Sequence, residues 1–292
     1  EVMAGLLPLE LKARISWIAE VLGQHLQGPL SEVAPHILRA LPPPLDPSKT
    51  DDDFGDFIFA PLGELIVARG LESDPELALD LLGEVTQRFS MEWAIRPFLN
   101  EHPDLTLTRM QDWASHPSYH VRRLVSEGTR PRLPWGQGVS LDLRTPLPLL
   151  QQLHSDPTRY VTRSVANHLN DISKKHPELV MDRLDQWGAQ GSQSRAELDW
   201  MTRHALRGLV KAGDARALAL LDEGLSSQQV AVACDLHLRT VEGYRSKTAR
   251  ARAVACEGAG GSWRRRSGPQ EFANGLVGRL LRQPDAAAAG MG

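Results

Sequence analysis

HPDLTLTRMQDW at residues 102–113 and HPELVMDRLDQW at residues 176–187 follow one pattern. In both, His-Pro-acid-Leu leads through an arginine to a closing tryptophan, Trp113 or Trp187, at the same internal spacing. Proline followed by an acid suits the first turn of a helix, because the missing N–H would be unpaired there and the carboxylate meets the positive end of the helix dipole. The pattern predicts two equivalent helices, and Asp-Pro-Glu-Leu at residues 74–77 predicts a third with the same start.

A second element repeats between these helices: an aromatic residue followed three places later by arginine. The four pairs are Trp93/Arg96, Tyr119/Arg122, Tyr160/Arg163 and Trp200/Arg203, with aromatic positions 26, 41 and 40 residues apart. A repeat of about 40 residues made of helix pairs is typical of HEAT-like stacking. Strand signals are absent across residues 5–222, whereas apolar stripes of helical period are frequent. The sequence therefore predicts an all-α, HEAT-like helical-repeat solenoid.

The pattern stops near Leu225, so we predict a HEAT-like domain over residues 1–224 and a tail of uncertain structure over 225–292. Alternating apolar residues at 230–240 predict a strand, while residues 224–246 faintly resemble the helix-turn-helix of response regulators. The two interpretations exclude each other. The Gly-, Arg- and Ala-rich end of the chain favours disorder, and we assign the tail no function.

The composition is that of a soluble globular protein: 292 residues, 41% apolar and 24% charged. Its two cysteines, Cys234 and Cys256, have no zinc-ligand spacing and exclude a disulfide scaffold. There is no apolar run that could span a bilayer and no basic, apolar secretory signal at the start. These features predict a cytoplasmic protein with no membrane contact, located at the nucleoid when it acts on DNA, and we expect a monomer.

The net charge of −3 hides an asymmetry along the chain. Residues 1–114 contain 8 basic and 19 acidic residues, whereas residues 115–211 contain 14 basic and 9 acidic residues, a balance of +5. A basic region attracts nucleic acid through its local field, whatever the overall isoelectric point. The alternative is a basic face that is merely solvated. The first interpretation predicts that the solenoid has a concave basic face.

VRRLVSEGTRPRLPW at residues 121–135 places a single carboxylate, Glu127, among four arginines and ahead of Trp135. A surface that only attracted phosphate would not need the acid, and a core would not need the arginines. The combination suits a site that holds a polyanion and stabilises a positive charge formed during reaction. RSVANHLNDISK at residues 163–174 repeats this arrangement around Asp171.

Together with WMTRHALRGLVK at residues 200–211, these blocks resemble the alkylpurine DNA glycosylases built from HEAT-like repeats, specifically the AlkC branch of this bacterial repair family. The resemblance extends over residues 8–222 by repeat logic and is most specific over 113–211. It implies an all-helical protein that wraps duplex DNA containing alkylated bases and excises cationic N-alkylated bases, without a metal or other cofactor.

The resemblance places the catalytic acids of the family at Glu127 and Asp171. Loss of the base generates positive charge on the deoxyribose, which a carboxylate can stabilise while it orients water. The alternative for Glu127 is a pair of helical ion pairs, with Arg123 and Arg130. Asp171 could likewise pair with Lys174 or a neighbouring lysine, or join two asparagines in polar packing.

The resemblance and the local charge also favour a set of DNA-binding side chains. They are Arg122, Arg130, Arg132, Arg163, Asn167, Lys174, Arg203, Arg207 and Lys211. Arg122, Arg163 and Arg203 recur at one repeat position, so they either face phosphate or form repeated structural salt bridges. Trp135 could stack on the lesion or its sugar, or form a core contact between repeats. Trp113 and Trp187, at matched repeat positions, are expected in the core.

Other chemistries lack their motifs. The sequence has no Walker loop, no Gly-x-Gly-x-x-Gly after a strand and no Gly-x-Ser-x-Gly, and His116 and His120 lack the HExxH context of a zinc site. The sequence therefore favours a monofunctional glycosylase that releases N3-alkylated bases such as 3-methyladenine and 3-methylcytosine. The alternatives are a HEAT-like scaffold that binds DNA or protein without catalysis, and a regulator that uses the tail.

Overall fold

The computed structural model describes residues 2–51, 54–222, 239 and 242–243. Over these residues the regular structure is helical, with thirteen α-helices, one 3-10 helix at Phe57–Phe59 and a single isolated β-bridge between Gly55 and Phe89. This confirms the all-α prediction. The chain divides into two units at residue 245, and the second unit lies outside the described residues. So do most residues of the predicted strand at 230–240 and of the alternative helix-turn-helix, and the domain boundary after residue 224 stays a prediction.

The helices follow one another along the chain with short connections, apart from two longer segments, residues 41–59 and 129–146, whose described residues contain no α-helix. In order they are α1 Val2–Leu6, α2 Leu11–His25, α3 Leu30–Ala40, α4 Ala60–Gly70, α5 Pro75–Thr86, α6 Arg96–Glu101, α7 Pro103–Trp113, α8 Tyr119–Gly128, α9 Leu147–Leu153, α10 Arg159–Ser173, α11 Pro177–Gln190, α12 Arg195–Lys211 and α13 Ala215–Asp222.

The Pro-acid pairs start helices as predicted. Pro75, Pro103 and Pro177 are the first residues of α5, α7 and α11. At α5 the side chain of Asp74 accepts a hydrogen bond from the backbone N–H of Leu77 at 3.3 Å, which satisfies one of the donors that a helix start leaves unpaired.

The aromatic-arginine pairs mark helix starts less regularly. Helix α8 begins at Tyr119 and α10 at Arg159, next to the aromatic Tyr160, but α12 begins at Arg195, well before Trp200. The reason is local, because the hydroxyl of Ser194 accepts a hydrogen bond from the N–H of Glu197 at 3.2 Å and caps the helix earlier.

Helices α8, α10 and α12 pack side by side, with α10 in the middle. Helix α9 packs on α8 and α10, α11 packs on α10 and α12, and α13 packs on α12. The matched tryptophans Trp113 and Trp187 are 7% and 1% exposed, which confirms their predicted place in the core. Among the described residues, no helix has the length and apolar character needed to cross a bilayer.

Candidate active site

Glu127 is the penultimate residue of α8 and is buried, with 4% of its surface exposed. The helix ends at Gly128, where a Cβ would lie 2.5 Å from Cγ2 of Ile95. Real Cβ atoms do not approach other atoms this closely, so glycine is what allows the end of α8 to pack against Ile95. This packing positions the end of α8, and with it Glu127, in the layer formed by α8, α10 and α12.

A single arginine bridges the two acids that the sequence singles out. Nη1 of Arg130 donates to Oε1 of Glu127 at 2.5 Å, while Nε and Nη2 donate to Oδ2 of Asp171 at 2.9 and 2.8 Å. Lys174 donates to the other oxygen of Asp171 at 3.0 Å. Glu127 and Asp171, contributed by α8 and α10, therefore share one cation. We call Glu127, Arg130 and Asp171 the acid-pair site.

The second oxygen of Glu127 faces α10 and the interior. Oε2 accepts a hydrogen bond from the hydroxyl of Ser164 at 2.6 Å and lies 3.7 Å from Nη2 of Arg123. Nη1 of Arg123 lies 3.3 Å from a carboxylate oxygen of Glu92, and its guanidinium is 4.5 Å from the ring centroid of Tyr160. Both helical ion pairs that the sequence left open for Glu127 are thus formed, together with contacts between repeats.

The surrounding cations keep Glu127 ionised. Burial raises the pKa of Glu127, but Arg123, Arg130 and the hydroxyl of Ser164 outweigh it and hold the pKa below its ordinary value. Burial likewise lowers the pKa of Arg130, while Glu127 and Asp171 raise it to a net value above the ordinary one. At neutral pH Glu127 is therefore a charged carboxylate suited to electrostatic stabilisation, and it is not a proton donor.

Arg96 positions the loop that follows α8, a role that the sequence did not reveal. It is fully buried and donates to the carbonyl oxygens of Gly128 and Arg130, both at 2.9 Å, and to that of Gln137. Burial and the charge of Arg130 lower its pKa to about 10. Its place in the aromatic-arginine repeat was the available signal, but nothing in the repeat said that it binds backbone oxygens.

A group of cations lies next to the acid-pair site on α10 and α12. Asn167 links two of its neighbours, because its amide oxygen accepts hydrogen bonds from Nε2 of His204 at 2.8 Å and from Nη2 of Arg207 at 2.9 Å. Arg159 lies over the ring of Trp200 at 3.6 Å, and Arg163 pairs with Asp51. We call Arg159, Arg163 and Arg207 the cation cluster.

The pKa of His204 reflects the positive charge around it. Burial lowers its pKa, and Arg207, Arg163, Arg159 and Arg130 lower it further, to about 4. Burial is the larger cause, and the smaller contributions of the four arginines indicate that cations of the cation cluster and Arg130 of the acid-pair site lie near His204. Such a field attracts anions over a distance set by ionic strength.

The remaining predicted DNA-binding residues are scattered. Nε of Arg122 bonds Oδ2 of Asp156 at 2.5 Å and its Nη1 donates to two backbone carbonyls, which matches the salt-bridge alternative. Arg203 lines a crevice between α11, α12 and α13. Arg132, Lys174 and Lys211 are exposed. Within the described chain, no three His, Cys, Asp or Glu side chains form a group that could hold a metal ion.

Trp135 lies on the surface, with 58% of its area exposed, so the alternative of a core contact between repeats does not describe it. The next residue, Gly136, is confined by Arg96, because a Cβ there would lie 2.7 Å from Cδ of Arg96. The close approach holds the loop, and with it Trp135, against the protein while the indole remains accessible.

His168 predicts a pH effect on stability. It is fully buried on α10, its Nδ1 lies 3.1 Å from the carbonyl oxygen of Ser126, and burial lowers its pKa to about 4. The unfolded chain takes up this proton near pH 6.5 and the folded chain does not, so stability is full above pH 6.5 and falls as the pH drops toward 4. We expect a loss of about 1–2 kcal/mol in the free energy of unfolding between pH 7 and 5 from this group.

Urea unfolding curves at pH 7 and pH 5 measure this loss. The substitution His168→Gln removes this titrating group and should reduce the difference in the free energy of unfolding between the two curves. An identical pH dependence in the parent and the variant would show that His168 does not carry it.

Comparison with known proteins finds relatives among solved structures and among curated sequences. A solved structure, the Pseudomonas fluorescens alkylpurine DNA glycosylase AlkC bound to DNA containing an abasic site analog, is 34% identical with a TM-score of 0.61, over 75% of this chain and 58% of that one. The uncharacterized protein YhaZ of Bacillus subtilis (strain 168) is 43% identical over 148 residues, 50% of this chain and 40% of that protein. The chain matches no protein-family model.

The chain therefore spans only about half the length of the relatives it matches. Its similarity to AlkC includes both fold and sequence, because an identity of 34% accompanies the shared helical architecture. The resemblance that the sequence motifs indicated is confirmed: this is a helical-repeat chain similar to the AlkC alkylpurine DNA glycosylases.

Proposed function

We propose that this chain is a DNA glycosylase that excises cationic N3-alkylated bases, such as 3-methyladenine and 3-methylcytosine, from duplex DNA. The observation that carries the proposal is the acid-pair site: Glu127 and Asp171, from two neighbouring helices, are bridged by Arg130 beside a cluster of cations. The similarity to AlkC, a glycosylase solved on DNA, supports DNA as the partner.

The main catalytic group that the proposed base excision requires is a carboxylate. Alkylation at a ring nitrogen makes the base a cation and a good leaving group, and its departure puts positive charge on the deoxyribose. An ionised acid aimed at that charge stabilises the transition state more than the ground state. Because the pKa of Glu127 lies below its ordinary value, electrostatic stabilisation and orientation of water are its roles.

The acids keep acceptor capacity for that water. The two oxygens of Glu127 accept one hydrogen bond each, from Arg130 and Ser164, and a carboxylate has about four acceptor positions. The side chains of Glu127 and Asp171 retain 5% and 6% exposure, so a small part of each acid is open to solvent. No lysine is required to form a Schiff base, so we propose excision without strand cleavage.

The cation cluster is proposed to hold the DNA backbone. Arginine binds phosphate through several donors, and its guanidinium is more weakly hydrated than an ammonium group. The hydrogen bond to Asn167 orients Arg207 for such a contact. The rival function is a scaffold that binds DNA without catalysis. The ion pairs of the acid-pair site would serve such a scaffold as structural links between α8 and α10.

Incubation of the chain with methylated duplex DNA separates the two functions. Release of free 3-methyladenine and 3-methylcytosine, measured by mass spectrometry, is the expected result. DNA binding without release of either base would support the scaffold and refute the glycosylase.

Arg163→Ala tests the phosphate contact. We expect weaker binding to duplex DNA and a plot of log affinity against log salt that is shallower by about one charge. Arg216→Ala is the matched control, because Arg216 bonds Asp182 and Asp185 on the adjacent helix α11, at 2.7 and 3.0 Å, and should leave the slope unchanged. An unaltered slope for Arg163→Ala would count against phosphate binding at this residue.

A further inference from the structure

Two arginines of the cation cluster are paired with carboxylates of the chain itself. Arg163 forms an ion pair with Asp51, and Nη2 of Arg159 lies 2.5 Å from Oε2 of Glu197. A carboxylate and a phosphate accept hydrogen bonds from the same guanidinium donors. DNA that binds the cation cluster therefore meets donors that are already in use.

The two carboxylates differ in how firmly the backbone holds them. Glu197 lies in the first turn of α12, where regular helical structure fixes its position. Asp51 lies in residues 46–56, which contain five aspartates and one lysine. We call residues 46–56 the acidic segment. It belongs to the stretch 41–59, whose described residues contain no α-helix, so Asp51 can leave its arginine without unfolding a helix.

Backbone hydrogen bonds tie both ends of the acidic segment to the end of α5. Just before the segment, the N–H of Leu45 donates to the carbonyl oxygen of Gln87 at 3.0 Å. At its far end, the N–H of Asp56 donates to the carbonyl oxygen of Arg88, also at 3.0 Å. The two ends are therefore held close together, and a movement of the middle of the segment can stay local.

The middle of the acidic segment contacts the beginning of α10. The carbonyl oxygen of Thr50 accepts a hydrogen bond from the N–H of Tyr160 at 3.0 Å, and the carboxylate of Asp51 pairs with Arg163. The side chains of Asp51 and Arg163 are 34% and 30% exposed. Ion pairs with solvent access contribute little to stability, so a DNA phosphate can replace this one at a small cost.

We propose that Asp51 competes with a DNA phosphate for Arg163, and that the acidic segment lowers the affinity of the chain for duplex DNA until the duplex displaces Asp51. The proposal rests on the proposed function only in taking DNA as the partner and the cation cluster as its phosphate contact. In the free chain the carboxylate of Asp51 occupies the position of the phosphate. When DNA binds, a phosphate takes over the guanidinium of Arg163 and the carboxylate returns to solvent.

A double-mutant cycle on undamaged duplex DNA at low salt tests this competition, with affinities measured by fluorescence anisotropy. Asp51→Asn should raise the affinity of the full chain by about three- to tenfold, because both the competing ion pair and the repulsion between Asp51 and phosphate are lost. In the Arg163→Ala background the same substitution should raise the affinity by less than about twofold, since the contested guanidinium is absent.

Asp56→Asn is the matched control. It removes the same charge from the same segment at an exposed position, and it should change the affinity for duplex DNA by less than about twofold. All three residues have solvent access, so the melting temperatures of the variants should stay close to that of the parent.

Three results would overturn the competition. They are an unchanged or lower affinity in Asp51→Asn, an equal gain from Asp51→Asn in the Arg163→Ala background, and an equal gain in Asp56→Asn. The last two would show a general effect of net charge instead of competition for one arginine.

The proposed function fails in a different experiment. DNA binding without base release would refute the glycosylase and leave the competition intact, because the cycle measures binding alone. Base release by the parent together with an unaltered affinity of Asp51→Asn would refute the competition and leave the glycosylase intact.

Discussion

Glu127→Gln is expected to lower the rate of base release from methylated duplex DNA by about 10²–10³-fold, the usual cost of removing one group that stabilises transition-state charge. The amide is nearly isosteric and can still accept the hydrogen bond that Ser164 donates at 2.6 Å. The negative charge disappears, together with one of the two acceptor oxygens. Affinity for undamaged duplex should stay close to that of the parent, because phosphate binding is assigned to other side chains.

The measurement is a single-turnover release assay on duplex containing 3-methylcytosine. Glu101→Gln, at an exposed position on α6, is the control for a lost carboxylate and should release at the parent rate. A rate for Glu127→Gln within about threefold of the parent would remove Glu127 from the reaction centre.

Arg130→Met is expected to cost about 3–5 kcal/mol in the free energy of unfolding, the range measured when one partner of a buried ion pair is removed. Arg130 makes three hydrogen bonds to Glu127 and Asp171, and its side chain is only 15% exposed. Without it, two buried carboxylates from different helices lose their shared counter-charge. The loss should shrink as the pH falls and Glu127, whose pKa Arg130 helps to hold down, becomes protonated.

Urea unfolding of Arg130→Met and of Arg132→Met makes the comparison. Arg132 is exposed in the same loop, so its replacement should change stability by less than about 0.5 kcal/mol. Equal, small effects in both variants would show that the bridge across the acids contributes little to folding.

The parts of the fold that follow from local chemistry could be predicted from the sequence. Pro103 and Pro177 begin helices because proline and a following acid suit a first turn wherever they occur. Trp113 and Trp187 are buried because matched positions in stacked repeats face the same interior. The start of α12 at Arg195 could not be read from the aromatic-arginine repeat, since Ser194 caps that helix before the repeated aromatic residue.

Some contacts of the candidate site could likewise be predicted from the sequence, and others could not. Glu127 lies four residues after Arg123 and three residues before Arg130, at the end of one helix, so helical spacing revealed both pairs. The bond from Arg130 to Asp171 crosses 41 residues, and the pair between Arg163 and Asp51 crosses 112. Such contacts depend on how repeats stack, which spacing along one chain does not encode.

The positioning roles of Arg96 and Arg123 could not be predicted from the sequence, for a further reason. Arg96 and Arg123 were visible as charges, and charge alone suggested phosphate or a surface ion pair. Both are buried, one on backbone carbonyls and the other between two carboxylates and aromatic rings. A guanidinium can satisfy several acceptors at once, so an arginine in a repeat motif is as consistent with an interior brace as with a ligand.

The most direct test of the account is the affinity of the chain for two duplexes that lack a base at one position. One contains a pyrrolidine sugar analogue, whose ring nitrogen is positively charged, and the other contains neutral tetrahydrofuran. If Glu127 and Asp171 stabilise charge on the sugar, the parent chain should bind the cationic duplex at least about 10²-fold more tightly. Glu127→Gln and Asp171→Asn should lose most of that preference. Equal affinity of the parent for both duplexes would contradict the claim that these two acids act on the sugar.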